Sequence, residues 1–378
     1  MKSTLIRILL LLVLLVSAGC ANVPEQTAAP TAPAGDATVE STDALPATEP
    51  AASGEQATLT VMTHDSFAVS EEVVNRFQEE NNVKLVFLQS GDSGSVLNRA
   101  ILSKSAPMAD VLYGVDNTFL SRALEAEIFE PYQSPLLADV PEEFQLDDQH
   151  RAIPIDYGDV CINYDKAYFA ENNLALPESL QDLTKPEYNG LLVVENPAVS
   201  SPGLSFLLAT IAEFGEDGYL EYWTALRENG VVVVNDWETA YYSNFSGSSG
   251  QGPQPMVVSY GSSPVAEVVF ADPPITEAPT ASLVGANMCF RQVEFAGILA
   301  GTQNRALAEK FIDYMLSAPF QEDMPLQMFV YPVNQTAKLP EPFQQYSQAP
   351  EQPAALDSAQ IAENRDSWIQ AWDETVLR

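Results

Sequence analysis

The sequence predicts a two-lobed α/β protein, in which two sets of parallel strands and covering helices are joined by two extended crossings. Three observations predict it. Short apolar, β-branched runs alternate with helical periodicity from Leu59 to Tyr113, and the alternation resumes at Leu191. Between them, Ala152–Tyr164 is one long extended stretch, and Gln292–Leu299 is a second strand placed to cross back. Several strands run into small polar residues and then a helix, and in open sheets ligands bind at the carboxyl ends of the strands.

The chain of 378 residues is long enough for two domains once its start is set aside. Lys2 and Arg7 flank a short apolar run, Leu5–Val16, followed by Ser17-Ala18-Gly19-Cys20. A basic start, an apolar run and small residues make an export signal. The run is too short for a comfortable membrane span. Its ending resembles a bacterial lipoprotein signal over residues 1–20, which implies lipidation at Cys20. Residues 21–57 are rich in Ala, Pro, Thr and Glu and read as a disordered tether.

Leu59–Met62 is the first strand, and Ser70–Glu80 an amphipathic helix with Val73, Val74 and Phe77 on one face and Ser70 as cap. Val83–Leu88 is a strand, Ser95–Ser103 a helix, Ala109–Tyr113 a strand and Asp116–Ala126 a helix. Residues 131–149 read as loop. In the second lobe Leu191–Val194 and Val231–Val234 are strands, Pro202–Phe214 and Leu220–Glu228 helices, and Glu238–Tyr242 a short helix. A Gly/Ser/Gln/Pro loop, Ser246–Pro253, precedes the strand Met256–Tyr260. Arg305–Ser317 and Asp357–Val376 are amphipathic helices.

Composition excludes some functions. A formal charge of −35, from 52 acidic and 17 basic residues, argues against nucleic acid, whose phosphates need Lys and Arg. Two histidines and three cysteines give no metal-ligand spacing. Cys161 and Cys289 sit in apolar runs and read by default as buried free thiols, although an exported chain can pair them.

The chemistry concentrates in four turns, around Asp92-Ser93, Asp116, Ser200-Ser201 and Ser262-Ser263-Pro264. A helix start offers free N–H groups and partial positive charge to carboxylate, phosphate or hydroxyl oxygens. The same serines equally serve as caps. His64, Trp237, Tyr260 and Phe329 lie beside such turns, where flat rings stack on flat ligands or hold cations. Asp65, Asp92 and Asp116 each follow a strand and can answer a cation or an amine.

Two other patterns compete. Gly91-Asp92-Ser93-Gly94 with upstream His64 looks like the nucleophile loop of a secreted serine hydrolase using Ser93, but the βαβ setting is wrong for that fold. Tyr241-Tyr242 resembles the paired tyrosines of ferric-iron receptors, yet adjacent helical residues point about 100° apart.

From Leu59 to the C-terminus the chain resembles the thiamine-binding receptors of bacterial ABC importers. The resemblance rests on pieces in the family's order: Thr60–Phe67, Asp92–Arg99, Ala109–Asn117, Pro154–Gly158 with Asn163–Lys166, Ser200–Leu204, Trp237 with Ala240-Tyr241, Val258–Pro264, and Phe329–Val333. It implies a type II periplasmic-binding-protein fold, with one lobe of residues 58–157 and 297–335 and another of 158–296 and 336–378. It implies no catalysis, no cofactor and no metal. The protein would act as a monomeric, lipid-anchored receptor that closes on thiamine or a thiamine phosphate and delivers it to a membrane permease. A ferric-iron or small azole receptor of the same fold is the alternative. Asp92 and Ser93 match the loop that meets the ligand's rings; Ser200 and Ser201 match a helix start facing its hydroxyethyl or phosphate end. Trp237, Tyr260 and Ser263 match further contacts. His64 and Ala266 stand where family members carry tyrosines, and Phe329 where they carry tryptophan.

Overall fold

The computed structural model describes residues 56–248 and 252–378. The expected signal, Cys20 and the tether up to residue 55 lie outside the described residues. So do residues 249–251 of the polar loop.

The chain opens as β1 (Ala57–Thr63), α1 (Glu71–Asn81), β2 (Val83–Gln89), α2 (Ser93–Leu102) and β3 (Val111–Asp116). Both β2 and β3 pair with β1 in parallel, as a βαβαβ run requires. The helix starts are chemically determined. Ser70 Oγ accepts from the Val73 amide, and Asp92 from the Ser93 amide. After α3 (Leu120–Glu125) and the short β4 (Phe129–Glu130) comes β5 (Ile153–Asp165), a strand of 13 residues.

Next follow α4 (Lys166–Glu171), β6 (Leu192–Glu195), α5 (Ser201–Glu228), β7 (Val232–Val234), β8 (Met256–Tyr260), α6 (Ser263–Val269), β9 (Thr280–Leu283) and β10 (Phe290–Leu299). The end of the chain adds α7 (Arg305–Leu316), α8 (Ala318–Gln327), β11 (Tyr331–Pro332), α9 (Glu341–Tyr346) and α10 (Ser358–Val376). The sheet order is β2-β1-β3-β10-β5-β8-β6-β7. Thus β10 and β5 are the two strands shared between a β1–β3 half and a β6–β8 half. The first part of β5 pairs with β10, and its second part with β8 and β9. Both crossings lie where the sequence placed them.

The two helices expected at 202–214 and 220–228 are both present within α5, separated at Gly215, whose φ of 72° and ψ of 170° break the helix and favour a residue without Cβ. Two local features lie outside the expectation and have physical causes. Ala318–Gln327 is helical despite Pro325. Buried Gln321 holds it there: its Nε2 donates to the Ile155 and Met315 carbonyls, and its Oε1 accepts from the Asn334 amide. Cys161 and Cys289 are not free thiols but a disulfide. Antiparallel pairing sets Val160 opposite Phe290, so the residue after one and the residue before the other meet across the ladder.

Aromatic packing closes the C-terminal side. Trp372 meets Trp223 of α5 edge-on at 5.4 Å, and buried Arg365 lies 5.8 Å from the Phe119 ring while donating to Ser121 Oγ. α10 therefore ties α5 to α3, that is, one half of the sheet to the other.

Candidate functional site

The carboxyl ends of β1 and β8, with the turn that follows β2, open on one cavity of ≈ 330 Å³. Of the residues singled out from the sequence, the structure brings His64, Asp65, Asp92, Ser93, Trp237, Tyr260, Ser263 and Phe329 to its wall. Ala266 is there too. Asp116, Ser200 and Ser201 are not; they lie behind the wall.

His64 follows directly from β1. Its ring occupies the space that a Cβ on Gly114 would fill, at 2.4 Å, and Gly114 has a φ of +101°. Only glycine suits that position. His64 Nε2 sits 3.5 Å from Glu294 Oε1, so its partner is an acid on β10 and not Ser93. Asp65 staples two loops: its Oδ1 accepts from the Gly91 amide, and its own amide donates to the Gly91 carbonyl. Asp92 caps α2.

Another part of the lining is aromatic. Trp237 stacks on Tyr241 at 5.0 Å with 17° between the planes, and Tyr242 meets Trp237 edge-on at 5.5 Å. The turn Thr239–Asn244 is a π-helix, whose wider winding lets both tyrosines reach the Trp237 ring. Trp237 Nε1 donates to Ser259 Oγ, which shares a hydrogen bond with Ser263 Oγ. Tyr260 packs over Gly158, where a Cβ would come within 2.7 Å of its ring. Phe329, at φ 58°, meets Phe270 edge-on at 5.5 Å.

Beneath the cavity lies a group of buried acids. Tyr113 Oη donates to Asp156 Oδ2 at 2.7 Å, with Glu294 Oε2 3.0 Å away. Burial and these two charges hold the Tyr113 phenol well above its usual value. Burial raises Asp92 as well, while Ser200, the Ser93 amide and His64 pull it down. Burial and the Glu294 charge raise Asp156, and burial raises Glu195. Such stacked acids repel each other and favour any cation placed among them.

Asp116 has a different task from the one expected. One oxygen accepts from the Thr118 amide, and the other accepts a hydrogen bond from the Ser201 hydroxyl, so it clasps β3 to the start of α5. Close by, a Cβ on Gly94 would lie 2.9 Å from the Val199 carbonyl oxygen, so the α2 start and the α5 start touch. The two halves of the sheet therefore meet at these helix starts. Burial lifts the Asp116 carboxyl from 3.8 to about 7. The folded chain therefore binds more protons than the unfolded one between those values. The stability this confers is complete below pH 4 and is lost as pH rises to 7, at ~1.4 kcal/mol per unit. Asp116→Asn keeps the shape and an acceptor for Thr118. Its stability relative to the parent chain is expected to rise by ~1–4 kcal/mol from pH 4 to pH 8, measured by urea unfolding. An equal loss at both pH values would contradict this reading of Asp116.

Site residues the sequence did not single out include Glu294, Glu238, Phe270 and Met328; Phe67 and Tyr241 entered only as parts of the resemblance, Tyr241 also through the iron alternative, and Tyr242 through that alternative alone. Tyr241 donates its phenol proton to Glu267, and burial raises it well above 10. Binding ferric iron as a phenolate would have to break that arrangement. Among the described residues no group of three or more metal-ligating side chains converges, and no helix is long and apolar enough to cross a membrane.

Comparison with known proteins adds three findings. A family model described as bacterial extracellular solute-binding protein matches residues 106–352. The thiamine-binding periplasmic protein of Escherichia coli (strain K12) is 30% identical over 331 residues, covering 85% of this chain and 94% of that protein. Among solved structures, a periplasmic thiamin binding protein superposes with a TM-score of 0.74 at 28% identity, covering 85% of this chain and 96% of the other. Iron-bound HitA from Pseudomonas aeruginosa shares the fold, with a TM-score of 0.69 at 20% identity over 84% and 99% of the chains. The architecture is thus the type II periplasmic-binding-protein fold.

Proposed function

The chain belongs to the bacterial extracellular solute-binding proteins, and from that premise we propose that its solute is thiamine, captured by closure of two lobes and passed to an ABC permease. The observation that carries the reading is the make-up of the cavity. Flat rings, Trp237 and Tyr260, share the lining with the acids Asp92 and Glu294, and among the described residues no Lys or Arg lines the space. That combination suits a flat ligand with a fixed positive charge. The thiamine-binding relatives agree with it. A solute receptor of this kind performs no catalysis.

On this reading, residues 58–157 with 297–335 move against 158–296 with 336–378, and β5 and β10 act as the hinge. The chain works as an extracytoplasmic monomer held at the membrane through lipid on Cys20. Asp65, Ser93, Ser263, His64 and Phe329 complete the ligand's surroundings, while Asp116, Ser200 and Ser201 hold the closed form.

Trp237 alone among the four tryptophans lines the cavity; Trp223, Trp368 and Trp372 are core residues. Thiamine is therefore expected to change the tryptophan fluorescence, and Trp237→Phe to abolish most of that change. Trp237→Ala and Tyr260→Ala are each expected to weaken thiamine binding at least tenfold, ~1.4 kcal/mol, in a fluorescence or calorimetric titration. Affinity unchanged in both variants would place the site elsewhere.

A further inference from the structure

We propose, on the reading that this cavity takes thiamine, that Asp156 and Glu294 hold one proton between them in the empty receptor and release it when the cation enters, which makes the pair a determinant of selection for positive charge. The sheet creates the pair. β10 runs antiparallel to β5 with Glu294 directly opposite Asp156, and both side chains are buried. Both carboxyls reach the Tyr113 hydroxyl, Asp156 at 2.7 Å and Glu294 at 3.0 Å. A phenol has one proton and cannot fully satisfy two ionised acids. The second oxygen of Asp156, Oδ1, is buried without a partner. Two carboxyls so placed take up a proton in common, because like charges this close resist ionising together.

The surroundings supply no fixed cation in its stead. Facing the pair are Tyr113 and Asp116 of β3, Tyr260 of β8 and His64 just after β1, with Asp92 of the α2 start acting on Asp116 and His64. Among the described residues no Lys or Arg is ion-paired with either acid. Arg291, the nearby cation on β10, is forked onto Asp159. His64 is the basic side chain against the pair; its Nε2 stands 3.5 Å from Glu294 Oε1, buried and without a hydrogen-bond partner.

Glu294 lines the cavity, whereas Asp156 and Tyr113 lie behind the wall. A cation in the cavity therefore meets the pair through Glu294. Burial and the Glu294 charge hold Asp156 up in the empty receptor. An opposite charge within ~4–6 Å lowers a carboxyl's pKa by ~1–3, so the shared proton leaves to solvent and both acids face the ligand ionised. A neutral solute brings no such charge and leaves the proton in place. The empty receptor thus keeps the proton to a higher pH than the loaded one. Affinity for thiamine rises with pH through that window, by up to ~tenfold per unit for a full proton, and falls in acid.

The test is calorimetric titration of the protein with thiamine at pH 7 in buffers of different ionisation enthalpy, where the dependence of the heat on the buffer counts the protons exchanged. Release of about half a proton or more is expected from the parent chain. Asp156→Asn keeps the shape and an acceptor for Tyr113, and is expected to cut the release at least threefold. No release, or net uptake, by the parent chain overturns the proposal. Release undiminished in Asp156→Asn, or lost equally in His64→Gln, puts the proton on another group and also overturns it. Infrared spectroscopy of the ligand-free protein at pH 7 reads the proton without any ligand. The C=O stretch of a protonated carboxyl is expected in the parent chain and reduced in Asp156→Asn, and identical spectra overturn the proposal. Thiamine that gives no heat in any buffer rejects the receptor reading, while the infrared difference still decides whether the pair holds its proton.

Discussion

Replacing Glu294 by glutamine is expected to weaken thiamine binding by roughly 30–100-fold, ~2–3 kcal/mol, the range for a hydrogen bond or contact to a charged group in a dry site. Glu294 is the acid that the structure adds to those legible in the sequence. It stands on β10, 5% exposed, on the cavity wall, with His64 Nε2 3.5 Å from one oxygen and the Tyr113 hydroxyl 3.0 Å from the other. Glutamine keeps the volume and an acceptor for Tyr113, so what is lost is the charge. The folding arm of the experiment separates binding from damage. Glu294 helps push Asp116 and Asp156 up through like-charge repulsion, so its neutralisation is expected to leave the thermal midpoint unchanged or raise it. Affinity within threefold of the parent chain would show that the ligand's charge is answered by another group.

Removing the Cys161–Cys289 disulfide is expected to cost about 2–5 kcal/mol of folding stability. The bond spans 128 residues of sequence and joins β5 to the residue preceding β10, the two strands that pass between the halves. Cross-linking positions so far apart removes much of the unfolded chain's freedom, with ~4.7 kcal/mol calculated for a loop of 100 residues. Urea unfolding of the Cys161→Ala, Cys289→Ala double variant against the parent chain reads the difference. A thiol titration under denaturing, non-reducing conditions should find neither cysteine free. An unchanged unfolding midpoint would mean that the bond is absent or energetically idle.

Much of the architecture is legible in local chemistry. Ser70, Asp92 and Asp357 each announce a helix, and each side chain does accept from the amides that follow. The two crossings are legible because Ala152–Tyr164 is too long and too apolar for an ordinary loop. The cavity walls at His64, Trp237 and Tyr260 are legible because rings stand beside strand ends and polar turns. Glu294 is not, because β10 is covered on both faces, so no alternation tells which side its acid occupies. The available signal was a lone charge inside Val293-Glu294-Phe295-Ala296, since a buried acid in such a run needs a reason. Asp116, Ser200 and Ser201 show the opposite limit. Their residue types suit a ligand, but the packing of α2 against α5 turns them toward each other. α8 was hidden by Pro325, and its anchor, Gln321, acts only through partners distant in sequence.

The central claim is that the two halves of the sheet grip one flat cation between an aromatic wall and an acidic one. A crystal structure of the protein grown with thiamine tests it most directly. The account predicts the ligand inside the cavity at the ends of β1 and β8, its rings against Trp237 and Tyr260 and its charged ring within reach of Asp92 or Glu294. Thiamine bound outside that cavity, or touching residues of one half alone, would contradict it.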